Sequence, residues 1–589
     1  MSPLRSISTP RKTQLASSLV AALAVLACAS AAAQTTPAIP ANAGGAADAA
    51  ARLQREELER QRQQMERDQR ALPAPRGSES TTPVPKQSDT DTVCRDIKEI
   101  VISGGTHLSE SKRKELAAPY LKRCLFVRDI EKLVSDITTY YIRQGYVTTR
   151  AYIPKQDLSK GRLEILVVEG TVEKVSVQDG DKRSVSIGNV LPGLNGEILN
   201  IRDLEQGLDQ INRLQSNNAT FDIVPGEQAG GSTVLVKNTP ASPFHASLSV
   251  DNEGSKATGK TQVGISASVD DVFGFNDFLS ASYRQSVPEH DDSQLSRTES
   301  VAYILPLGYN TLSLAFSKSR YVTQITTASG YELQSSGRST ISSARFDRVI
   351  YRSSSERASL AGTLSTKSTR NYLDDQLLDV SSRNLTLFDA DFNYTATVLG
   401  SLVSIDLGLS QGLKELDALE DPDYLPREAP RAQFLKYKYG ASIALPFRVG
   451  NYDASFSSTL VGQQSRNALY GSEQILVGSI YTVRGFVDTN LSGDNGFYLR
   501  NDLGVRLPVS WAGNSSLSLR PYVGVDFGRT SMRYAGTDAP AGNLSGVAVG
   551  VSLNGRYGSF DIFTARPLSK PDFMPRESSS TFARLSLFI

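Results

Sequence analysis

The sequence predicts a C-terminal 16-stranded antiparallel transmembrane β-barrel preceded by two small α/β modules and an N-terminal helix. Three observations carry this. Residues 1–33 read as an export signal. Residues 92–240 hold a mixed α/β unit that occurs twice. From about Phe244 to Ile589, apolar and polar residues alternate with no helix of useful length between them.

Composition narrows the class. The 589 residues carry 63 Lys+Arg against 62 Asp+Glu, a net charge of +1. No basic field is available to hold nucleic acid. Only the N-terminus contains a stretch resembling a membrane helix, and each such helix needs about 20 apolar residues. Helical membrane bundles are excluded, whereas barrel strands, apolar on one face only, are not. Three Cys, three His and one Trp leave little material for a metal centre.

Arg5, Arg11 and Lys12 precede an apolar run from Leu15 to Ala27, and Ala31-Ala32-Ala33-Gln34 follows. This is a secretory signal with an A-x-A site, cut after Ala33. Val25-Leu26-Ala27-Cys28 is the competing lipoprotein reading, in which Leu26 fits poorly. Residues 34–45, rich in Ala, Pro and Gly, read as a flexible segment. Residues 46–72 read as a helix without Gly or Pro, with Glu56→Arg60 and Glu66→Arg70 in the favourable i,i+4 order. Leu53, Leu58 and Met65 are too few for a core stripe. Such a helix is either solvated or housed in a wet pore. Pro73 and Pro75 end it, and residues 73–91 read as a polar linker.

The first module spans 92–170. Ile97–Ile102 is a strand, and helices follow near Ser109–Tyr120 and Val127–Gln144. In the second helix Ile130, Leu133, Val134, Ile137 and Tyr141 recur at 3–4 spacing, with Gly145 placed to end it. Strands near Thr148–Ile153 and Arg162–Val168 complete the unit. The order recurs over 171–240: strand Val172–Val177, helix Arg202–Leu214, strands Thr220–Val224 and Ser232–Val236. The helix starts match, Val127-Arg128-Asp129-Ile130-Glu131 against Ile201-Arg202-Asp203-Leu204-Glu205. Each module is expected to pack two helices on a three-stranded sheet. Cys94 and Cys124 would meet an oxidising compartment, which favours a disulfide over two free thiols. Closing about 30 residues contributes roughly 3–4 kcal/mol in the chain-entropy model.

Residues 244–589 read as the barrel. Val263, Ile265, Ala267 and Val269 share one face, as do Leu312, Leu314 and Phe316, then Leu517, Leu519, Pro521, Val523, Val525 and Phe527, and finally Ala583, Leu585, Leu587 and Ile589. A soluble sandwich has the same period. Export, the helix-free length and strands reaching the last residue favour the membrane barrel. At ~20–22 residues per strand and connection the region holds about 16 strands. Arg500, Asp502, Arg506, Arg520 and Asp526 fall on the lumen face, which must be wet to solvate them.

Enzyme signatures are missing: no Gly-x4-Gly-Lys-Ser/Thr loop, no Gly-x-Ser-x-Gly elbow, no cluster of His, Cys and carboxylates. His107, His245 and His290 are scattered and read as ordinary polar residues. The acidic stretch Glu415–Asp423 lacks EF-hand spacing and reads as a solvated loop. No enzyme activity, cofactor or metal is expected.

Leu476–Phe486 breaks the strand rhythm and is followed by Ser492–Arg500. Arg-Gly-Phe at a loop tip offers five donors beside a backbone able to take positive φ, though an Arg on a barrel loop usually meets only solvent. Val483-Arg484-Gly485-Phe486 resembles the VRGY/F motif of the outer-membrane polypeptide transporters. With two α/β modules ahead of it, the chain resembles the two-partner secretion branch, the ShlB/FhaC/HecB family (TpsB type). The modules resemble its POTRA domains. Tyr146–Pro154 and Val167-Val168-Glu169-Gly170 are similar to the first of these, and the paired cysteines to the haemolysin-secreting subgroup. One departure is the end, where the family commonly finishes on Phe and Phe588 here precedes Ile589.

The resemblance implies a role for each part. The loop folds back into the barrel and Arg484 meets Asp526. The N-terminal helix is the plug of the resting pore. The POTRA domains face the periplasm and bind the secretion domain of an exported partner, near Thr148, Arg150 and Tyr152, where exposed sheet edges suit strand addition. The implied function is an outer-membrane pore that secretes a large exoprotein (haemolysin, adhesin or contact-dependent toxin) by type V secretion without nucleotide hydrolysis. It would be a monomeric pore with outer-membrane lipid and the barrel-assembly machinery as further partners and no nucleic acid. The rivals are a barrel insertase, which usually carries more modules, and a solute porin, which needs neither the modules nor the tetrad.

Overall fold

The computed structural model describes residues 93–178, 185–287, 293–327, 330–511, 514–534 and 541–589. The expected signal peptide (1–33), flexible segment (34–45), helix (46–72) and linker (73–91) lie outside the described residues, as does His290.

In the first module Arg162–Val168 is the central strand, parallel to Glu99–Gly104 and antiparallel to Arg150–Tyr152. Parallel pairing demands a crossover, supplied by helices Glu110–Ala117 and Val127–Arg143. Ile130, Leu133, Ile137 and Tyr141 of the long helix are buried against Ile102, Leu163, Ile165 and Val167. The Asp129 carboxylate accepts from the Phe126 N–H at 3.0 Å and starts that helix. Gly145, with φ +99°, ends it.

Two expectations need correction here. The strand expected over Ile97–Ile102 is two strands. Arg95–Ile97 pairs with Arg123–Leu125, and Glu99–Gly104 joins the main sheet. The break falls at Lys98, whose N–H turns to the Gly161 carbonyl at 2.7 Å. The strand expected over Thr148–Ile153 shortens to Arg150–Tyr152, because Thr149 N–H closes a turn onto the Tyr146 carbonyl. A two-stranded ribbon is marginal alone, and the Cys94–Cys124 disulfide, with Cα atoms 5.3 Å apart, staples the short ribbon.

The second module repeats the plan. Gly231–Lys237 is central, parallel to Thr171–Val177 and antiparallel to Thr220–Pro225. Helix Ile201–Asn212 buries Leu204, Leu208 and Ile211 on Val172, Val234 and Val236. Its other described helix, Ile187–Val190, is a single turn.

Beyond Phe244 the described residues form a closed antiparallel barrel of sixteen long strands. The last, Ser580–Phe588, pairs with the first, Phe244–Asp251. Ile589 adds to the closure: its N–H donates to the Ala246 carbonyl at 2.9 Å and its carbonyl accepts in return at 3.2 Å. Val263, Ile265, Leu314, Phe316, Val523, Val525, Leu585 and Leu587 are all exposed on the outer wall. A continuous apolar band of this kind is an aggregation surface in water and a satisfied one in lipid. No described helix is long and apolar enough to cross a membrane.

The second module is tied to one rim of the barrel. The Gln206 and Gln210 side chains donate to the Gly308 carbonyl at 3.2 and 3.1 Å, and Tyr309 donates to Asp203 at 2.6 Å. Arg352, only 6% exposed, binds Asp209 at 2.6 Å and lies 3.5 Å from Glu205. Burial pushes the Asp209 carboxyl above its ordinary range, against the pull of the Arg352 charge.

Candidate functional site

Strands Tyr452–Ser465 and Asn495–Trp511 are neighbours in the wall, yet 29 residues separate them, 466–494. This segment returns into the lumen. Ile475–Val477 and Leu491–Gly493 pair as a small hairpin. Gly478, at φ +101°, turns the chain into the tip, where the Thr482 hydroxyl accepts from the Gly478 N–H at 3.0 Å. Ile475, Val477, Val483, Phe486 and Leu491 pack with Val461, Tyr498, Leu544 and Met574. Burial of this apolar set turns the loop inward rather than out into solvent.

At the tip Arg484 is fully buried. Its Nε and Nη2 donate to the two oxygens of Asp526 at 2.6 and 2.7 Å. Nη1 donates to Asp502 at 2.7 Å, and Nη2 also reaches the Asn501 carbonyl at 3.2 Å. The Arg484 backbone N–H donates to Asp526 as well, at 3.0 Å. A forked, doubly countered guanidinium of this kind fixes both position and orientation. Asp526 itself is fully buried, so the pair is shielded from water.

The wall is shaped to receive the tip. A Cβ at Gly524 would lie 2.0 Å from Arg484 Nη2, and one at Gly546 1.8 Å from the Arg484 carbonyl oxygen. A Cβ at Gly528 would meet Val477 at 2.4 Å and Val483 at 3.0 Å. Gly485, at φ +106°, passes so close to Arg566 that a Cβ would come within 2.5 Å of its backbone. These glycines form a cradle that no larger residue leaves open.

Two further ties hold the loop. Glu473, 3% exposed, sits between Lys367 at 2.7 Å and Lys436 at 3.0 Å, which come from strands Glu356–Leu373 and Leu435–Val449. Glu577, in the connection before the last strand, accepts from the backbone N–H groups of Val487 and Thr489 at 2.8 and 2.9 Å. The loop is thus anchored to different walls and bridges the lumen.

The other sequence-flagged residues fall as follows. Arg500 donates to the Ile480 carbonyl at 2.9 Å and lies 3.5 Å from Asp502. Arg520 stacks over Tyr522 at 5.5 Å. Arg506 is exposed on the same face, opposite Asp453 in register. In the first module Thr148 packs beneath Gly170, and Arg150 folds onto the carbonyls of Val147 and Thr149 at 2.7 and 2.8 Å. Tyr152 is the member of that trio turned to solvent, on the edge strand. Glu169, just before the second module, gathers the Thr106 hydroxyl (2.8 Å), the His107 N–H (2.9 Å) and the Tyr141 hydroxyl (3.0 Å). Burial opposes its charge, but these donors outweigh burial and hold the carboxyl down at about 2.

Sequence reasoning missed Glu473, its two lysines and Glu577. No local pattern joins residues 37 to 106 positions apart. The cradle glycines did carry a signal: Gly524, Asp526 and Gly528 share one face of an alternating strand.

Comparison with known proteins gives a consistent picture. The model of the family described as haemolysin secretion/activation protein ShlB/FhaC/HecB matches residues 230–553. A ShlB-type POTRA domain matches 96–170 and a further POTRA domain 171–225. The outer membrane transporter CdiB of Dickeya dadantii (strain 3937) is 33% identical over 500 residues, covering 84% of this chain and 86% of that one. The hemolysin transporter protein ShlB of Serratia marcescens is 31% identical over 473 residues, covering 80% and 82%. The solved structure of CdiB from Escherichia coli superposes with a TM-score of 0.82 at 29% identity, covering 95% of this chain and 100% of that one.

Proposed function

The chain belongs to the ShlB/FhaC/HecB haemolysin secretion/activation family, and from that premise we propose how it carries a partner exoprotein out of the cell. It is an outer-membrane transporter of two-partner secretion, with its POTRA domains in the periplasm. The observation that carries the mechanism is the loop 466–494, folded into the lumen and locked to the wall through Arg484, Asp526 and Asp502.

The client arrives unfolded and meets the POTRA domains. The free edge of strand Arg150–Tyr152 accepts an extended segment through main-chain hydrogen bonds, with Tyr152 beside it. The charged faces of Arg500, Asp502, Arg506 and Arg520 keep the lumen wet for a polypeptide in transit. The helix over 46–72 fills the lumen at rest and leaves as the client enters. Folding of the client outside supplies direction without nucleotide. The pore works as a monomer, inserted by the barrel-assembly machinery, and its client is a haemolysin, an adhesin or a contact-dependent toxin.

Co-expression with the exoprotein of the neighbouring reading frame tests this. The client is expected in the medium only when this chain is present. Client retained in the periplasm despite a folded barrel would contradict the assignment.

A further inference from the structure

Four arginines stand in one row across the outer wall of the barrel. Arg297 is the register partner of Arg320, Arg320 of Arg338, and Arg338 of Arg370. Their strands, Leu295–Leu307, Asn310–Thr326, Glu332–Arg352 and Glu356–Leu373, are consecutive neighbours. The row faces lipid, not lumen. Along Asn310–Thr326 the exposed Leu314 and Phe316 share a face with Lys318 and Arg320. Exposed Val301, Phe346, Leu360 and Leu364 mark the same face on the other three strands. The opposite face at this height holds Tyr321, Gly337 and Asn371, with the Tyr321 hydroxyl donating to Asn371 at 3.1 Å in the interior.

The height of the row is fixed by the chain. Gly308, which receives Gln206 and Gln210 of the second POTRA domain, marks the periplasmic rim. Arg320 is ten residues beyond Asn310. That is about 34 Å along a strand at ~3.4 Å per residue, or about 26 Å along the axis for a tilt of about 40°. The apolar band of such a barrel is about 25 Å tall. The row therefore lies at the outer-leaflet headgroups, just above the apolar wall.

Like charges directly opposed across strands destabilise a sheet. Neutral amides hold the two ends: Arg297 Nε donates to Gln285 at 3.0 Å, and Arg370 Nη1 donates to Asn384 at 3.0 Å. The exposed Arg320 and Arg338 between them have no side-chain hydrogen bond or ion pair among the described residues. Nor does Lys318 below, whose register partners are Glu299 and Thr340. Unpaired guanidinium forks at a headgroup plane suit phosphate oxygens.

We propose that Arg297, Arg320, Arg338 and Arg370, with Lys318, bind the phosphates of an outer-leaflet glycolipid whose acyl chains lie on Val301, Leu314 and Phe316. The inference rests on the outer-membrane placement of the barrel and makes its lipid partner specific.

Diphosphoryl lipid A binding to the purified full chain in mixed micelles tests it. The Arg320→Gln/Arg338→Gln variant is expected to bind about 30-fold more weakly, from about tenfold per 1.4 kcal/mol and about 1 kcal/mol per basic residue at an anionic surface. Arg320→Lys/Arg338→Lys, which keeps charge and loses the fork, should fall between and serves if the glutamine variant does not fold. Equal binding by wild type and variant would overturn the proposal. So would equal binding of dephosphorylated lipid A. Full displacement by millimolar inorganic phosphate would assign the row to free anions instead. Channel activity of the same wild-type preparation separates these outcomes from failure of the barrel reading.

Discussion

Replacing Arg484 with Ala is expected to abolish export of the partner while the barrel still reaches the outer membrane. The substitution removes a fully buried cation from between Asp526 and Asp502 and leaves the fully buried Asp526 without its counter-charge. Breaking a shielded pair in this way costs about 3–5 kcal/mol, because the remaining charge stays desolvated. That loss is of the same size as the hold of the buried Val483 and Phe486 on the wall, roughly 1.5–3 kcal/mol each, so the tip is left with little net attachment to its cradle. Wall strands pair with one another independently of the loop, which is why insertion survives. Arg484→Lys keeps the charge but cannot make the fork to both Asp526 oxygens, and an intermediate defect follows. Client in the medium and the heat-shifted mobility of the folded barrel are the two readouts. Wild-type secretion by Arg484→Ala would remove the loop from the mechanism.

Gly546→Ala is expected to give nearly the same loss without touching any charge. The added methyl would lie 1.8 Å from the Arg484 carbonyl oxygen, a backbone atom that cannot swing aside as a side-chain end can. Overpacking of this kind costs about 1–3 kcal/mol and is relieved only by moving the tip. Gly362→Ala is the matched control, since a Cβ there meets nothing nearer than 3.7 Å. Protease access to residues 478–486 on intact cells should rise in Gly546→Ala and stay unchanged in Gly362→Ala. Full secretion and a protected loop in Gly546→Ala would show that the close approach is not needed.

Much of this architecture was legible because the relevant signals are local. Period-2 alternation is a property of each strand, so Val523, Val525 and Phe527 could be assigned outward and Asp526 inward before any partner strand was known. The two long POTRA helices carry their own stripes, and they start at Val127 and Ile201 as the repeat requires. What stayed hidden depends on the path of a loop. Nothing near Glu473 shows that its carboxylate meets Lys367 and Lys436, or that Glu577 caps the returning limb, because those pairings follow from how far residues 466–494 dip into the lumen. The shared contact of Arg484 with Asp502 was hidden for a related reason. Asp502 was legible as a lumen charge, but which lumen charge the tip would reach was not. The break at Lys98 escaped because Lys98 and Glu99 are only two charged residues inside a six-residue run, too short a stretch for periodicity to separate a bend from a continuous strand.

A closed, water-lined cylinder standing in lipid and bridged by its own loop conducts ions unless something else fills it, and we propose that residues 46–72 do so at rest. Planar-bilayer conductance of the full chain, set beside that of a variant lacking 46–72, checks both the open cylinder and its filling. Small, infrequent openings are expected of the full chain, and large, steady ohmic steps after the deletion. Identical conductance from the two, or no channels from either, would contradict this.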